Sequence, residues 1–344
     1  MRFVVLGIFI GLLVGCGTTP EQEKLFRQRT IQTSIEKFEK ELLNPDLTPE
    51  ESVILREQVA IYRSQLSEDT MIQYLLDYVS ANPTDPYNSF YLYRVARVSE
   101  ERGLTNLGIQ HYRRLVTSYP DVRWQNQSIH FLSLQRLVAI EGNPLLRVEY
   151  YQALLERFPN QIDQGYVYYH LAQDLEASGR YSESIRAFES FLRFPNTTIT
   201  GVPDVHYQIR EKLSFHYSNK SWLRPDLDTL ISQVKSAISS RSGRNLLNLQ
   251  AKVNFFTASW FQNRNDVNSR PDFNLMAFLY NDSRIHFAPQ VELASDGTEA
   301  YLRTWGWSPR IPTWFLYFRQ VDYPADPLIH GSWEWAGILL GESL

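Results

Sequence analysis

The chain has 344 residues, 43% of them hydrophobic, enough for one long domain or two ordinary ones with buried cores. Its 34 basic and 38 acidic residues nearly balance, so no basic excess speaks for nucleic acid and no run of lysines for a membrane surface. Cys16 is the only cysteine, which excludes internal disulfides and leaves the folded part to packing alone.

Arg2 supplies a short positive start, and residues 3–14 form an apolar run too short to span a bilayer comfortably. The run ends in Leu13-Val14-Gly15-Cys16, which resembles the bacterial lipobox, with an ordinary signal peptide or an anchor helix as the plainer alternative. The resemblance implies that residues 1–15 are a lipoprotein signal peptide and that Cys16 becomes diacylated. The polar stretch that follows, 16–24, then reads as a lipidated tether. More than one acyl chain is needed for stable anchoring, since a single chain binds only marginally. Gly17, standing where an aspartate would retain a lipoprotein at the inner membrane, implies export to the outer membrane, facing the periplasm.

Beyond the tether, residues 21–43 read as a helix with Ile31, Ile35, Phe38 and Leu42 on one stripe and Asn44-Pro45 as its stop. Thr48-Pro49-Glu50-Glu51 then carries a capping threonine, a proline at the first helical position and a glutamate able to close a capping box. Helices over 49–66 and 69–81 form a pair ending at Asn82-Pro83.

From about 88 to 196 one pattern is written three times. Gly103, Gly142 and Gly179 open the copies, and Pro120, Pro159 and Pro195 close them. Between each glycine and its proline stand an aromatic (Tyr112, Tyr151, Phe188) and an apolar residue three further on (Leu115, Leu154, Phe191). Glycine ends the first helix of each pair because it enters the left-handed region without a Cβ clash, and proline, lacking an N–H, ends the second. Ala96 and Ala172 precede Gly103 and Gly179 at the position where two helices would cross closely. These residues resemble the tetratricopeptide (TPR) repeat, with small residues at two fixed positions, an aromatic and a closing proline. The match is good over 89–122 and 165–197, while the middle copy has Gln135 and Arg147 at the small positions. Helices over 204–218 and 225–240 read as a fifth or capping pair, and "SSRSGRN" as a linker. The TPR-like region is thus expected over 25–242.

From about 249 to 344 the character changes to short segments rich in aromatic and β-branched residues, separated by Asn-Asp, Asp-Gly, Ser-Pro and Asp-Pro turns. The fold class expected is α+β: a helical TPR-like solenoid followed by a small aromatic-rich β domain, a sandwich or barrel of about six strands. Five of the eight tryptophans fall between Trp305 and Trp335.

The seven histidines show no HExxH and no paired metal spacing, and neither a phosphate-binding glycine loop nor a nucleophile elbow is present. No catalytic residue, metal or cofactor is expected. The repeats point instead to binding, since stacked helix pairs expose a surface of first helices suited to peptides or partner helices. Counting along the TPR pattern puts Tyr93, Arg97 and Glu100, then Arg136 with Leu132, then Tyr169, Gln173 and Glu176 on that surface. An aromatic and arginine mix favours protein recognition. A second candidate is aromatic: Trp305 with Trp307, and Trp333 with Trp335, alternate as residues sharing one face of a strand. Such pairs are commonly the core of a small β domain, and less commonly a face that stacks on a glycan such as peptidoglycan. The "Y-x-x-L-x-x-x-Y/F-P" endings resemble the TPR lipoproteins of outer-membrane barrel assembly and their division-linked relatives over 49–197. That resemblance implies a membrane-anchored scaffold with an envelope protein partner.

Overall fold

The computed structural model describes residues 19–259, 274–280 and 284–341. Its architecture is α+β, with helical hairpins followed by a mixed sheet. The chain divides into two compact units, Met1–Phe158 and Pro159–Leu344.

In the first unit α1 (Pro20–Glu41) is capped by Thr19, whose side chain accepts from Gln22 N–H while the Gln22 side chain accepts from Thr19 N–H. Ile31 and Ile35 bury against Val59 of α2 (Pro49–Leu66), with Phe38 and Tyr62 stacked at 5.8 Å beside them. Thr48 and Glu51 close the second capping box at the start of α2. The remaining helices are α3 (Glu68–Ala81), α4 (Asn88–Glu101), α5 (Thr105–Ser118), α6 (Ile129–Ile140) and α7 (Pro144–Arg157).

The α4–α5 turn is the glycine turn expected, with Gly103 at φ +75°. Ala96 and Gly108 are buried where α4 and α5 cross, and a Cβ on Gly108 would lie 3.2 Å from the Ala96 carbonyl. The α6–α7 turn departs from the expectation: Gly142 does not take a left-handed φ. Asn143 makes that turn instead, its Oδ1 accepting from Leu145 N–H with Pro144 at the first helical position. Ser133 and Val148 are buried in this hairpin, whereas Gln135 is exposed and Arg147 donates to the Glu141 carbonyl at 2.8 Å. An ordinary capped turn therefore replaces the glycine turn in the irregular copy, with other residues in its core.

Between α5 and α6 lies a short hairpin, β1 (Arg123–Trp124) and β2 (Gln127–Ser128), that the helical periodicity does not announce. Gln125 and Asn126 both take positive φ, as a two-residue hairpin loop requires. Trp124 stacks on Phe90 at 4.3 Å, and Asp121 accepts from Ser128 Oγ and from His130 N–H, which fixes the entry to α6.

The second unit contains α8 (Gln164–Ala177), α9 (Tyr181–Phe191), α10 (Val205–Tyr217), α11 (Leu227–Ser239) and α12 (Gly243–Leu249). These are followed by β3 (Phe256–Ser259), α13 (Leu275–Leu279), β4 (His286–Phe287), β5 (Glu299–Trp305), β6 (Thr313–Gln320) and β7 (Trp333–Leu340). The α8–α9 hairpin repeats the α4–α5 design, with Gly179 at φ +73°, Ala172 and Ser184 buried, and Phe188 and Phe191 inside.

The strands form one five-stranded sheet ordered β3-β7-β6-β5-β4, parallel only between β3 and β7, where a sandwich or barrel was expected. A register shift opposite Tyr317 and Phe318 leaves Ala336 as an extra residue on β7. It re-phases the strand, so that Trp333, Trp335, Ile338 and Leu340 all reach one face. That face packs on Leu230, Val234 and Ile238 of α11 and on Leu246 and Leu249 of α12. The composition shift at 242–249 therefore does not mark a division in the packing: α11 and α12 share a core with the sheet. The segment read as a linker is the turn between them, with Arg241 in the left-handed region and Ser242 capping α12. The α10–α11 connector is bound to the sheet as well, since Arg224 exchanges backbone hydrogen bonds with Trp333.

Candidate functional site

Within each unit, the first helices of neighbouring hairpins are tied together by ion pairs at recurring positions. In the first unit Glu57 on α2 meets Arg94 on α4 at 3.0 Å. Glu100 near the end of α4 pairs with Arg136 on α6 and also accepts from the Tyr112 hydroxyl at 3.1 Å. In the second unit Glu176, which holds in its repeat the place that Glu100 holds in the earlier one, receives Lys212 of α10 at 2.6 Å. Each of the latter two bonds spans 36 residues, one repeat length. Both lie beside the repeat's aromatic: Tyr112 donates to Glu100, and the Lys212 ammonium sits 5.0 Å from the Phe188 ring. Burial raises the Glu57 carboxyl above its ordinary value, with Arg94 opposing, and burial likewise raises the Tyr112 phenol.

These ties decide which of the predicted surface residues face outward. Glu100 is largely buried in its pair with Arg136, whose side chain stays 38% exposed. Tyr169 is buried between Phe188 and Phe191, its hydroxyl taking the Gln173 amide at 3.1 Å. Three other positions keep an outward side. Tyr93 is half-buried and tilted against Tyr112 at 6.0 Å, one turn before Arg97, which pairs with exposed Glu101 at 2.8 Å. Gln173 is exposed on α8.

The tryptophan reading needs correction. Trp307, Trp333 and Trp335 lie in the hydrophobic core, Trp307 stacked on Trp314 at 4.7 Å with an angle of 4°. Trp305 and Trp307 do not share a face, because β5 ends at Trp305 and Gly306 turns the chain at φ +93°. A Cβ on Gly306 would fall 2.3 Å from the Arg284 carbonyl, so the turn requires glycine. Trp305 alone of the four is well exposed, at 39%, and it stacks on His286 at 5.6 Å. A stacking face of paired tryptophans is thus not formed.

Two buried polar clusters escaped sequence reasoning. Glu334, between the two tryptophans of β7, points away from their core yet is buried, accepting from Trp222 Nε1 and from Arg319 Nε, both at 2.7 Å. His130 on α6 is buried with Nδ1 against the Arg157 guanidinium, and burial followed by that positive charge holds it below the ordinary imidazole value. Nothing in the local spacing of either could reveal partners lying 112 or 27 residues away.

Among the described residues no group of three or more His, Cys, Asp or Glu side chains is placed to hold a metal. A cavity of about 530 Å³ is bounded by the loop before α10, including Thr197, Ile199 and Val202, and by His206 in the first turn of α10. His206 is occupied there, stacked on Phe191 at 4.5 Å with Nε2 against the Phe194 carbonyl at 3.0 Å. Cys16, the lipidation candidate, lies outside the described residues. No helix among those residues is long and apolar enough to cross a membrane.

Fold and site together define a class: TPR-like helical hairpins joined by ion pairs between their first helices, followed by a mixed sheet. No protein-family model and no curated protein matches the chain. Among solved structures it is similar to the C-terminal part of a TPR repeat-containing protein from Cytophaga hutchinsonii. The two are 16% identical, the match covers 66% of this chain and 92% of that one, and the TM-score is 0.29.

Proposed function

We propose that this chain is a non-catalytic adaptor of the bacterial cell envelope. It is anchored through acylated Cys16 in the outer membrane, faces the periplasm, and holds an envelope protein partner on the first helices of its hairpins. The observation that carries this reading is the set of ties Glu57–Arg94, Glu100–Arg136 and Glu176–Lys212. Within each unit they fix neighbouring first helices against each other, with Tyr93 and Arg97 outward in the first unit and Gln173 outward in the second as contact residues. A surface held rigid before binding loses less freedom on association. Anchoring is supported by the lipobox-like Leu13–Cys16 stretch, and a task in envelope assembly by the repeat endings shared with barrel-assembly lipoproteins.

Affinity purification of the tagged full chain from detergent-solubilised membranes tests the reading. The wild-type chain is expected to recover a defined protein, and the combined Tyr93→Ala, Arg97→Glu and Gln173→Ala variant to recover at least roughly tenfold less, as loss of central contacts implies. Equal recovery by both chains, or recovery of none, contradicts it.

A further inference from the structure

Helix α1 buries only two of its residues, Ile31 and Ile35, and Thr19 through Thr30 are exposed throughout. An unpacked helical stretch of that length is marginal in water, which invites the question of what covers it. At about 100° per residue, the face opposite the Ile31–Ile35 stripe collects Phe26, Arg29, Thr33, Lys37 and Lys40 within about 40° of its centre, with Glu36 beside them; Leu25 lies at one edge, Glu23 and Glu41 at the other, and Glu41 pairs with Lys37 at 4.0 Å. Leu25 is 52% exposed and Phe26 74%, and the three basic residues are exposed as well. The basic residues are spaced by helical turns rather than run together, so a search for lysine runs passes over them.

We propose that this face of α1 lies on an anionic lipid surface, with Leu25 and Phe26 entering the headgroup boundary and Arg29, Lys37 and Lys40 meeting lipid phosphates. The proposal rests on the anchoring of Cys16. Only three residues separate Cys16 from Pro20, so an acyl anchor holds the start of α1 within about 14 Å of the membrane, the reach of an extended chain. Leu25 and Phe26 follow within two turns, the large apolar residues of this face nearest the anchor. An apolar pair flanked by basic residues on an exposed helix is the arrangement by which interfacial helices bind anionic bilayers.

Because Cys16 is the sole cysteine, a single added thiol reports position cleanly. Nitroxide labels at Phe26→Cys and, on the opposite face, Lys24→Cys are placed in the acylated full chain. The chain is then reconstituted in vesicles of phosphatidylcholine with about 30 mol% phosphatidylglycerol. The label at 26 is expected to show an oxygen-to-nickel collision ratio roughly tenfold above that at 24. Phosphatidylcholine alone, or Arg29→Glu, Lys37→Glu and Lys40→Glu together, is expected to abolish the difference. Equal ratios at both sites in anionic vesicles overturn the proposal, as does protein-concentration-dependent spin broadening at 26, which marks a second copy as the occupant. The mass of the N-terminal peptide separates the two readings. An unmodified Cys16 removes the anchoring, whereas a modified Cys16 with an aqueous label at 26 removes only this inference.

Discussion

Glu334 shows how a single side chain can hold a sheet in register. It sits between Trp333 and Trp335, whose rings fill the core, and its own carboxylate is buried on the opposite side against Trp222 Nε1 and Arg319. A buried charge is tolerated only where its partners replace the lost water. Glu334→Ala strands the buried Trp222 N–H while the partly exposed Arg319 guanidinium can turn to water, and is expected to cost about 1–3 kcal/mol. Glu334→Gln keeps an acceptor for Trp222 and costs less; urea unfolding midpoints measure both. His130 makes the corresponding case for pH. Its imidazole is held below the ordinary value by burial first and Arg157 second, with Asp121 opposing, so the folded state binds fewer protons than the unfolded one. The stability it contributes is therefore complete above the unfolded value, about 6.5, and is lost as pH falls through the depressed folded value. His130→Gln is expected to flatten the fall in urea midpoint between about pH 7 and pH 5 relative to wild type. An unchanged slope removes the assignment.

Among the elements, the helical turns separate what glycine does from where it stands. Gly103 and Gly179 occupy the left-handed region and Gly142 does not, though all three hold the same place in the sequence pattern. Gly103→Ala and Gly179→Ala are each expected to destabilise by about 1 kcal/mol, and Gly142→Ala by less than about half of that. Thermal unfolding of the three variants is the check. The hairpins were legible because their periods are local: the capping residues of α2, the buried Ala96 and Ala172, and the aromatics of α5 and α9 all announce themselves within one turn or one repeat, whereas the Thr19 cap of α1 lay inside the stretch read as a tether. The turn before α7 was not, because Asn143-Pro144 and Gly142 signal a break equally well and only the backbone shows which of them makes it. The β1–β2 hairpin hid for a similar reason: its two-residue strands are too short to show a period.

For the whole chain, the sequence pattern recovered the α+β order but misplaced where the packing divides. An amphipathic helix shows the same periodicity whether its apolar face meets another helix or a sheet. Nothing in Leu230, Val234 and Ile238 distinguishes a capping repeat from the cover of a β-sheet, and these side chains meet Trp314 and Trp335. The tryptophan pairs were legible as strand residues, and the core reading is the one the packing realises for Trp333 and Trp335. The turn at Gly306, which sends Trp307 inward and leaves Trp305 outside, depends on Arg284, which lies in a different segment of the chain. Among the surface candidates the same limit applies. Spacing along the repeat put Glu100 and Arg136 on the first helices, but only the structure shows that they pair with each other, Glu100 largely buried in the contact.

The central claim is that outward first-helix residues of each unit, and not the second helices or the tryptophan sheet, meet the partner. Photocrosslinking in intact membranes, with a benzophenone amino acid placed singly at Tyr93, Gln173, the exposed second-helix residues Arg113 and Arg186, and Trp305, tests it directly. The account predicts adducts to one common protein from positions 93 and 173 and none from 113, 186 or 305. Adducts confined to 113, 186 or 305, or equal labelling at every position, would contradict it.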